Sequence, residues 1–298
     1  MGQPAFSLTN VHYAYPGDIT ALAGVTLDIG VGERVAVIGA NGTGKSTLLT
    51  LLDALIFATE GSVRAFGEEI SERSMKSAAA QLEFRRRVGF VFQNPDVQLF
   101  CPTVREDIAF GPLQMGVDHA VIRKKLDFVV DTMRIPHLLE RSPHQLSIGE
   151  KKKAAIASVL VMEPEVLLLD EPTAGLDPQT MRDIIEVLDN AHKAGKTVIM
   201  ATHDLHIVEE IADAVHVFGK EKTVIRSGTA EEILTDAEFL QANNLVHIHV
   251  HRHFGVKHMH PHDHLHQHSH DQSHSHDHDH QHPHDHGHSP KRDISGFR

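Results

Sequence analysis

The stretch Gly39–Thr47, read as GANGTGKST, has residue types at the spacing that proteins use to hold a polyphosphate. Its glycines let main-chain N–H groups turn toward phosphates at a helix N-terminus, where the helix dipole also favours negative charge. Lys45 would reach the terminal phosphates, and the hydroxyl of Ser46 would bind Mg²⁺. The alternative is a glycine-rich turn that only links strand to helix. The other candidate residues of this loop are Gly39, Ala40, Asn41, Gly42, Thr43, Gly44 and Thr47.

Polar side chains follow two further apolar runs. Asp170 and Glu171 come directly after Val166–Leu169, and His203 follows Val198–Ala201. Continuous apolar runs of this length are typical of strands buried on both faces of a parallel sheet. Because ligands of such sheets bind at the carboxyl ends of the strands, we expect a site along that edge. Taken singly, a histidine after a strand can be structural, and an Asp-Glu pair can lie in a solvated turn.

Strand and helix patterns alternate around these residues, as in an α/β fold. Further strands are predicted at Phe6–Val11, Thr26–Ile29, 34–38, 61–67 and 88–93, the last ending on the amide of Gln93. Helical patterns cover 47–52, 71–87, 103–145, 146–162 and 178–194, with breaks in the third at Gly111-Pro112 and Pro136. The sequence thus predicts a sheet with a helical insert.

The 298-residue chain is 41% hydrophobic and 23% charged, a composition typical of a globular protein with a sizeable core. It has no run of about 18 consecutive apolar residues and no signal-peptide pattern, so we expect no membrane span. One cysteine, Cys101, excludes an internal disulfide and suits a reducing compartment. The net charge of −12 argues against a nucleic-acid binder, which needs a basic face.

In their order along the chain, these motifs resemble the ATP-binding cassette family over about the first 245 residues. They are Tyr15, Gly39–Thr47, Gln93, LSIGE at 146–150, VLLLDE at 166–171, Gly175-Leu176-Asp177 and His203. The resemblance implies an α/β fold: a P-loop NTPase core with a parallel sheet, an antiparallel β subdomain and an inserted α-helical subdomain. It also implies ATP and Mg²⁺ as cofactors.

The resemblance gives individual residues a role in phosphoryl transfer. Tyr15 would stack on adenine, although a half-buried strand tyrosine is an equal alternative. Asp170 would hold Mg²⁺ through water, and Glu171 would polarise the attacking water. Gln93 would touch the metal and the membrane partner, and His203 would contact the γ-phosphate. These roles fit a reaction that needs charge neutralisation and an aligned water.

The LSIGE motif implies a dimer of ATPase subunits, because in this family it completes the site of the opposite subunit, and we expect the two subunits to be identical. Ser147 and the main chain of Gly149 would grip the γ-phosphate across the interface, and Asp177 belongs to the same nucleotide-binding set. The usual LSGGQ has glycine where this chain has Ile148, and glutamine where it has Glu150. Because a β-branched residue resists positive φ, Ile148 must hold a negative φ or carry strain.

Residues 88–116 are similar to the ATPase subunits of energy-coupling-factor importers, particularly the cobalt and nickel branch. In that family this surface receives the coupling helices of a transmembrane subunit, which works with a substrate-binding membrane subunit. Candidates for the contact are Asp96, Gln98, Leu99 and Phe100. The alternative is that Leu99 and Phe100 simply pack the helical subdomain.

The end of the chain is rich in histidine, with 19 of the 27 histidines between His247 and His288. Residues 246–254 alternate as in a strand, and the text beyond Lys257 predicts a disordered tail. Imidazoles bind Ni²⁺, Co²⁺ and Zn²⁺, and the tail does not distinguish among these metals. A purification tag is the alternative, which Asp, Gln and Pro interruptions disfavour. The candidate ligands are His247, His249, His251, His253, His260, His262, His264, His266, His268, His270, His274, His276, His278 and His280.

The sequence therefore predicts a cassette domain at 1–246, with its helical subdomain at about 94–162, and a metal-binding tail at 247–298. We interpret the chain as a peripheral ATPase subunit on the cytoplasmic face of a membrane that powers nickel or cobalt import. One alternative is an exporter or an importer of another cargo, such as a vitamin or zinc. Another is a metal-storage or chaperone protein with a regulatory cassette. A soluble cassette ATPase of DNA repair or translation would need a long heptad insert, which is absent.

Overall fold

A computed structural model describes the backbone of residues 3–253 and 256–262, and the side chains as far as Val246. Its strands are β1 (Phe6–Tyr15), β2 (Ile19–Ile29), β3 (Arg34–Gly39), β4 (Glu60–Ala65), β5 (Glu68–Glu69), β6 (Val88–Val91), β7 (Val166–Asp170), β8 (Thr197–Ala201), β9 (Ala214–Phe218), β10 (Val224–Thr229), β11 (His247–His253) and β12 (Val256–His262). Its helices are α1 (Lys45–Leu52), α2 (Ala78–Arg87), α3 (Val104–Gln114), α4 (His119–Thr132), α5 (Ile148–Leu160), α6 (Pro178–Lys193), α7 (Leu205–Ile211), α8 (Ala230–Leu234) and α9 (Ala237–Ala242).

The main sheet has six strands in the order β10-β9-β3-β8-β7-β6. Strands β9, β3, β8, β7 and β6 run parallel, and β10 pairs antiparallel at one edge. All residues of β7 and β8 are buried, as their continuous apolar sequence predicts. The carboxyl ends of β3, β7 and β8 lie together, so the sheet brings the phosphate loop, the acidic pair and His203 to one edge.

A second, antiparallel sheet has the order β2-β1-β4-β5. Strands β1 and β2 are longer than the sequence predicted, because their pairing continues to Tyr15 opposite Ile19 through several register shifts. Leu8, Val11 and Val63 from this sheet share a core with Val35 and Leu48 of the phosphate-loop unit. The predicted antiparallel β subdomain is confirmed.

Helices α3, α4 and α5 form the predicted insert and pack on one another. Their buried side chains, among them Val104 and Ile108, belong to one core cluster with Val91 and Leu167 of the main sheet. Burying each such aliphatic side chain contributes about 1.5–3 kcal/mol. The insert thus packs against the sheet at its edge strand β6 and the neighbouring strand β7.

The break predicted at Gly111-Pro112 was wrong, because helix α3 runs through it to Gln114. Pro112 lies in the last turn, so its missing N–H removes one hydrogen bond, and the buried ring offsets that loss. A Cβ at Gly111 would lie 3.0 Å from the sulfur of Met162, so glycine lets the helix approach this neighbour closely. The sequence signal at Gly111-Pro112 reflected packing and not a turn.

Strands β11 and β12 pair antiparallel, with His249 opposite His260 and His251 opposite His258. The first strand agrees with the alternation in the sequence. Strand β12 extends to His262, past Lys257, after which the sequence predicts disorder, and the same two-residue alternation continues along it. The remaining tail lies outside the described residues. Within the described part of the chain, no helix is long and apolar enough to cross a membrane.

Candidate active site

The phosphate loop joins β3 to α1 through glycines in conformations that other residues adopt at a cost. Gly42 and Gly44 have φ values of +78° and +110°. A Cβ at Gly44 would lie 2.4 Å from the carbonyl oxygen of Ala21, so a side chain here would collide with main chain. The loop therefore needs glycine at this position for both conformation and space.

Lys45 begins α1 and is buried at the loop, with 7% of the residue exposed. Its Nζ donates hydrogen bonds to the carbonyl oxygens of Gly39 at 2.8 Å and Ala40 at 3.2 Å. Burial lowers the pKa of this amine, and the negative charges of Glu171 and Asp170 oppose that shift. The site thus concentrates a cation beside two carboxylates.

Asp170 ends β7 and is 6% exposed. Burial raises the pKa of its carboxyl, while a hydrogen bond with Ser46 favours the ionised form. Among the described residues, its Oδ1 has no hydrogen-bond partner. A buried, unpartnered carboxylate oxygen next to a serine hydroxyl is a donor set of the oxygen type that Mg²⁺ prefers. The residues present therefore fit this ion.

Glu171 follows β7 in a left-handed conformation with φ of +46°. Its N–H donates to the carbonyl oxygen of Ala201 at 2.9 Å. One carboxylate oxygen lies 2.8 Å from Nδ1 of His203, and the other accepts a hydrogen bond from the hydroxyl of Thr202 at 3.4 Å. A carboxylate that is 6% exposed is thus held from two sides by residues at the end of β8.

A cavity of about 460 Å³ unites most of the predicted nucleotide residues. Its lining includes Tyr15, Asn41, Gly42, Gly44, Lys45, Ser46, Thr47, Gln93 and Glu171. Tyr15 is 40% exposed, its hydroxyl lies 3.2 Å from the hydroxyl of Thr47, and its ring meets Tyr13 edge-on at 5.0 Å. An aromatic face at the mouth of a phosphate loop can accept a base.

Ser147, Gly149 and Asp177 lie on a different cavity, of about 340 Å³. Within one chain the structure therefore does not bring them to the phosphate loop. Ile148 is the first residue of α5 and is absent from the positive-φ residues of the described chain. The sequence left two possibilities, a negative φ or a strained backbone, and Ile148 has the negative φ.

The polar side chains at this second cavity also stabilise helix ends. Ser147 caps α5, and the carboxylate of Glu150 accepts a hydrogen bond from the N–H of Ser147 at 2.7 Å. These bonds lower the pKa of Glu150. Asp177 caps α6 by accepting hydrogen bonds from the N–H groups of Gln179 and Thr180, both at 3.0 Å. Glutamate at position 150 therefore serves the reciprocal cap of α5.

Three polar residues at the main site were not among the predicted site residues. Thr202 supports Glu171, and Lys222 lines the nucleotide cavity and donates a hydrogen bond to the carbonyl of Gly42. Lys152 is 1% exposed and bonds the carbonyl oxygen of Glu171. Thr202 has a signal, since it stands between a buried strand and His203. Lys222 lies in a distant turn, and Lys152 stands in a run of three lysines that looks solvated.

A model of the family described as ABC transporter matches residues 22–174. The chain belongs to the ABC transporter family. This ABC protein binds ATP and is an ATPase, as its motifs predicted, and the predicted fold is confirmed with it. The roles of single residues and the boundary at 246 stay predictions. The side chains of the candidate histidine ligands lie outside the described part.

Two relatives show which ABC proteins this chain resembles. The nickel import ATP-binding protein NikO of Rhodobacter capsulatus is 48% identical over 246 residues, which cover 82% of this chain and 96% of that protein. The energy-coupling factor transporter ATP-binding protein EcfA of Methanoculleus marisnigri is 44% identical over 234 residues, covering 78% of this chain and 82% of that protein.

Two solved structures have the same fold. One is cbiO1 from Clostridium perfringens, part of the ABC transporter complex cbiONQ, with 38% identity, a TM-score of 0.70, and coverage of 82% of this chain and 95% of that chain. The other is the dimeric cassette MJ0796 bound to ADP and Pi in a post-hydrolysis state, with 28% identity, a TM-score of 0.68, and coverage of 76% and 98%.

Proposed function

We propose that this ABC protein is the ATP-hydrolysing subunit of an energy-coupling-factor type importer that takes up nickel or cobalt through membrane subunits. The observation that carries the proposal is the meeting of Lys45, Gln93 and Glu171 on one cavity in a chain whose relatives include nickel-import and energy-coupling-factor ATPases. The residues that line the cavity support ATP hydrolysis, and the relatives support nickel or cobalt as the imported substrate.

In this proposal the main cavity binds ATP. Tyr15 stacks on the adenine, and the N–H groups of Gly39–Thr47 surround the phosphates at the N-terminus of α1. Lys45 exchanges its main-chain carbonyl partners for phosphate oxygens, which its buried charge favours. Ser46, Asp170 and Gln93 would hold Mg²⁺. The ion would neutralise part of the negative charge on the phosphates.

Glu171 is the general base in this proposal. Its carboxylate sits at the floor of the cavity and is aimed by the contacts with His203 and Thr202. A carboxylate held in this way can orient a water for attack in line with the leaving group. His203, whose Nδ1 faces Glu171, would contact the γ-phosphate through Nε2. Both residues come from neighbouring strands, so their spacing is fixed by the sheet.

We infer that two chains complete two sites. Ser147 and Gly149 lie away from the phosphate loop of their own chain but at the N-terminus of α5, where main-chain N–H groups favour an anion. A second copy that places this surface over the cavity would close it. The dimeric structure of MJ0796 supports this arrangement. Ile148, 49% exposed on this surface, would add apolar contact at the interface.

Exposed apolar residues in the segment after Gln93 and on α3 form the proposed contact with a membrane partner. We call this surface the docking patch: Val97, Phe100, Phe110 and Leu113, which are 63%, 65%, 40% and 44% exposed. The rings of Phe100 and Phe110 meet edge-on at 4.9 Å, so the two aromatic members of the patch are in contact. Exposed apolar side chains grouped in this way mark interaction sites. An apolar helix of a transmembrane subunit is the proposed occupant, with a substrate-binding membrane subunit beyond it.

Two of the four residues predicted for this contact have another task. Leu99 is 4% exposed and packs in the core of the insert. The amide of Gln98 donates to the carbonyl oxygen of Ala155 at 2.8 Å and accepts from the N–H of Phe92 at 3.1 Å. These residues anchor the loop from inside. Phe100 and Asp96 remain on the surface.

We further propose that the histidine-rich tail binds a transition metal, Ni²⁺, Co²⁺ or Zn²⁺, on the cytoplasmic face of the membrane. The support is compositional, since imidazoles alternate with other residues over a long segment. The tail would retain or deliver the imported ion and would not carry the ATPase. Loss of residues 247–298 should therefore change metal dependence more than turnover.

The proposal is tested by ATP-dependent uptake of radioactive nickel and cobalt in cells that carry this chain and its membrane subunits. We expect uptake with the intact chain, with altered metal dependence after deletion of residues 247–298. Glu171→Gln should retain ATP binding and stop uptake, and Lys45→Ala should lose ATP binding. Mutational loss of a catalytic base commonly costs about 10²–10⁴ in rate.

The outcomes separate the alternatives. Uptake of a vitamin or zinc, but not of nickel or cobalt, would support the importer function with a different substrate. Abolition of the main activity by tail deletion alone would favour metal storage with a regulatory cassette. Wild-type hydrolysis in Glu171→Gln would contradict the assigned base. If no substrate moves under any of these conditions, import is the wrong function.

A further inference from the structure

Three consecutive lysines on α5 have three different surroundings. Nζ of Lys151 lies 2.6 Å from Asp96, and Nζ of Lys153 lies 2.6 Å from Asp183. Lys152, between them, is 1% exposed and ranks with the largest fully buried side chains of the described chain. Lysine is almost never fully buried unless it is paired. The burial of Lys152 therefore needs a physical reason.

The amine of Lys152 joins two strand ends. It donates a hydrogen bond to the carbonyl oxygen of Glu171 at 3.0 Å and makes a longer one to that of Phe92 at 3.4 Å. Glu171 is the first residue past β7, and Phe92 is the first past the neighbouring parallel strand β6. Phe92 also directly precedes Gln93. One side chain thus connects the main chain at both catalytic loops.

Stability alone does not explain this lysine. Burial lowers its pKa to about 8, which means that burying the charge costs free energy, although the charges of Asp170 and Glu171 reduce that cost. A buried charge is weak evidence for stability, because its desolvation cost offsets the free energy gained from its contacts. A methionine would fill a similar volume without that cost but could not donate a hydrogen bond to either carbonyl oxygen. The presence of an amine at this position is therefore explained by its hydrogen bonds to the carbonyl oxygens of Glu171 and Phe92.

We propose that Lys152 is a positioning residue for ATP hydrolysis, which fixes the main chain at Glu171 and at the start of the Gln93 loop. The inference rests on the proposed role of Glu171 as the base. Glu171 has a φ of +46°, a conformation that a residue other than glycine keeps only when its surroundings hold it. The hydrogen bond to its carbonyl oxygen is one such restraint, and the N–H bond to Ala201 is another.

The position of Lys152 on α5 extends this role. The helix begins at Ile148, directly after Ser147 of the LSIGE motif, so Lys152 lies two residues past the end of that motif. A rotation of the insert would move the amine and, with it, the carbonyl oxygens of Glu171 and Phe92. The LSIGE helix, the Gln93 loop and the catalytic carboxylate would therefore respond together.

The test is a steady-state comparison of ATP hydrolysis by the purified full-length chain with Lys152→Met and Lys152→Gln. Methionine keeps the volume and loses the donor, whereas glutamine keeps a neutral donor. Lys196→Met is the matched control, because Nζ of Lys196 donates to the carbonyl oxygen of Pro164 at 2.6 Å, just before the amino end of β7. Glu171→Gln runs in parallel.

For Lys152→Met we expect kcat to fall by about 10- to 100-fold with KM for ATP changed less than about threefold, since misplacement of the base affects the chemical step. Lys152→Gln should recover part of the loss. Lys196→Met should keep kcat, whatever its melting temperature. Binding of a fluorescent ATP analogue, measured for each variant, confirms that the site is folded.

Three results would overturn the inference. They are a wild-type kcat in Lys152→Met, a rise in KM with kcat unchanged, and a loss of kcat in Lys196→Met as large as that in Lys152→Met. If Lys152→Met does not fold, Lys152→Ala takes its place, because alanine also lacks the donor, and a wild-type kcat in Lys152→Ala would contradict the positioning role. Unimpaired hydrolysis by Glu171→Gln would instead contradict the proposed base, independently of Lys152.

Discussion

At the scale of single residues, Glu171 shows how the site is built. Its carboxylate faces His203 and Thr202 while its main chain is held in a left-handed conformation. Such a conformation costs on the order of 1–3 kcal/mol and persists only where surrounding contacts determine it. The sequence identifies Glu171 by the motif around it. It does not reveal the strained backbone, which depends on bonds to distant parts of the chain.

Lys222 gives a prediction at this scale. It lies in the turn between β9 and β10, far in sequence from the phosphate loop, yet its amine bonds the carbonyl of Gly42 at the rim of the cavity. Lys222→Met should weaken ATP binding about fivefold, because a charge-assisted hydrogen bond near the phosphates contributes roughly 1 kcal/mol. The measurement is ATP titration at low and moderate salt, since the effect of a partly exposed charge is screened.

Lys220 offers the matched control for this change. It is an exposed lysine two residues earlier in the same turn. Lys220→Met removes the same charge from the chain and should leave ATP affinity within about twofold, since exposed charges at a distance are screened. Equal affinities for the Lys222→Met and wild-type proteins would show that Lys222 does not bind nucleotide.

At the scale of elements, most of the fold could be predicted from periodicity. The buried strands β3, β7 and β8 were predicted because their apolar runs are continuous, and helix α6 because Ile184, Ile185 and Leu188 share one face. Helix α3 was cut at Pro112 because a local proline signal outweighed tertiary packing. The burial of Lys152 could not be predicted, since neighbouring residues in a helix face different surroundings and charge alone does not reveal them.

The end of α1 gives a prediction of pH dependence. Asp53 is 3% exposed and lies 3.7 Å from Arg85 on α2. Burial raises the pKa of its carboxyl to about 7, and the charge of Arg85 only partly opposes the shift. The folded protein therefore binds this proton more tightly than the unfolded chain does. The resulting stabilisation is present at low pH and is lost as pH rises toward about 7.

Asp53→Asn should remove this dependence. Relative to the variant, the wild-type free energy of unfolding should fall by on the order of 2 kcal/mol between pH 5 and pH 8. Urea denaturation at both pH values gives the difference, in which the titration of the histidines cancels. Asp131→Asn, at an exposed position on α4, serves as the control. A difference between wild type and Asp53→Asn that does not change with pH would contradict the expected titration.

At the scale of the whole molecule, the chain presents surfaces that a single copy leaves open. The LSIGE cavity and the phosphate-loop cavity are separate, and the docking patch exposes the apolar rings of Phe100 and Phe110. The motifs predicted an ATPase that works with a second copy and with membrane subunits. They did not show which residues of the patch point outward, because the alternation of Gln98, Leu99 and Phe100 between core and surface depends on how α5 packs beneath them.

The docking patch supports the last prediction. Phe100→Ala should weaken association with the membrane subunits at least tenfold, because a central aromatic residue at an interface commonly contributes more than about 1–2 kcal/mol. Phe128→Ala is the matched control: it removes the same side chain from α4, where Phe128 is 72% exposed and outside the patch. The measurement is co-purification of the membrane subunits with each variant from solubilised membranes. Since both changes remove the same kind of side chain, equal retention of the subunits would place the partner elsewhere. Loss with Phe128→Ala alone would move the contact to α4.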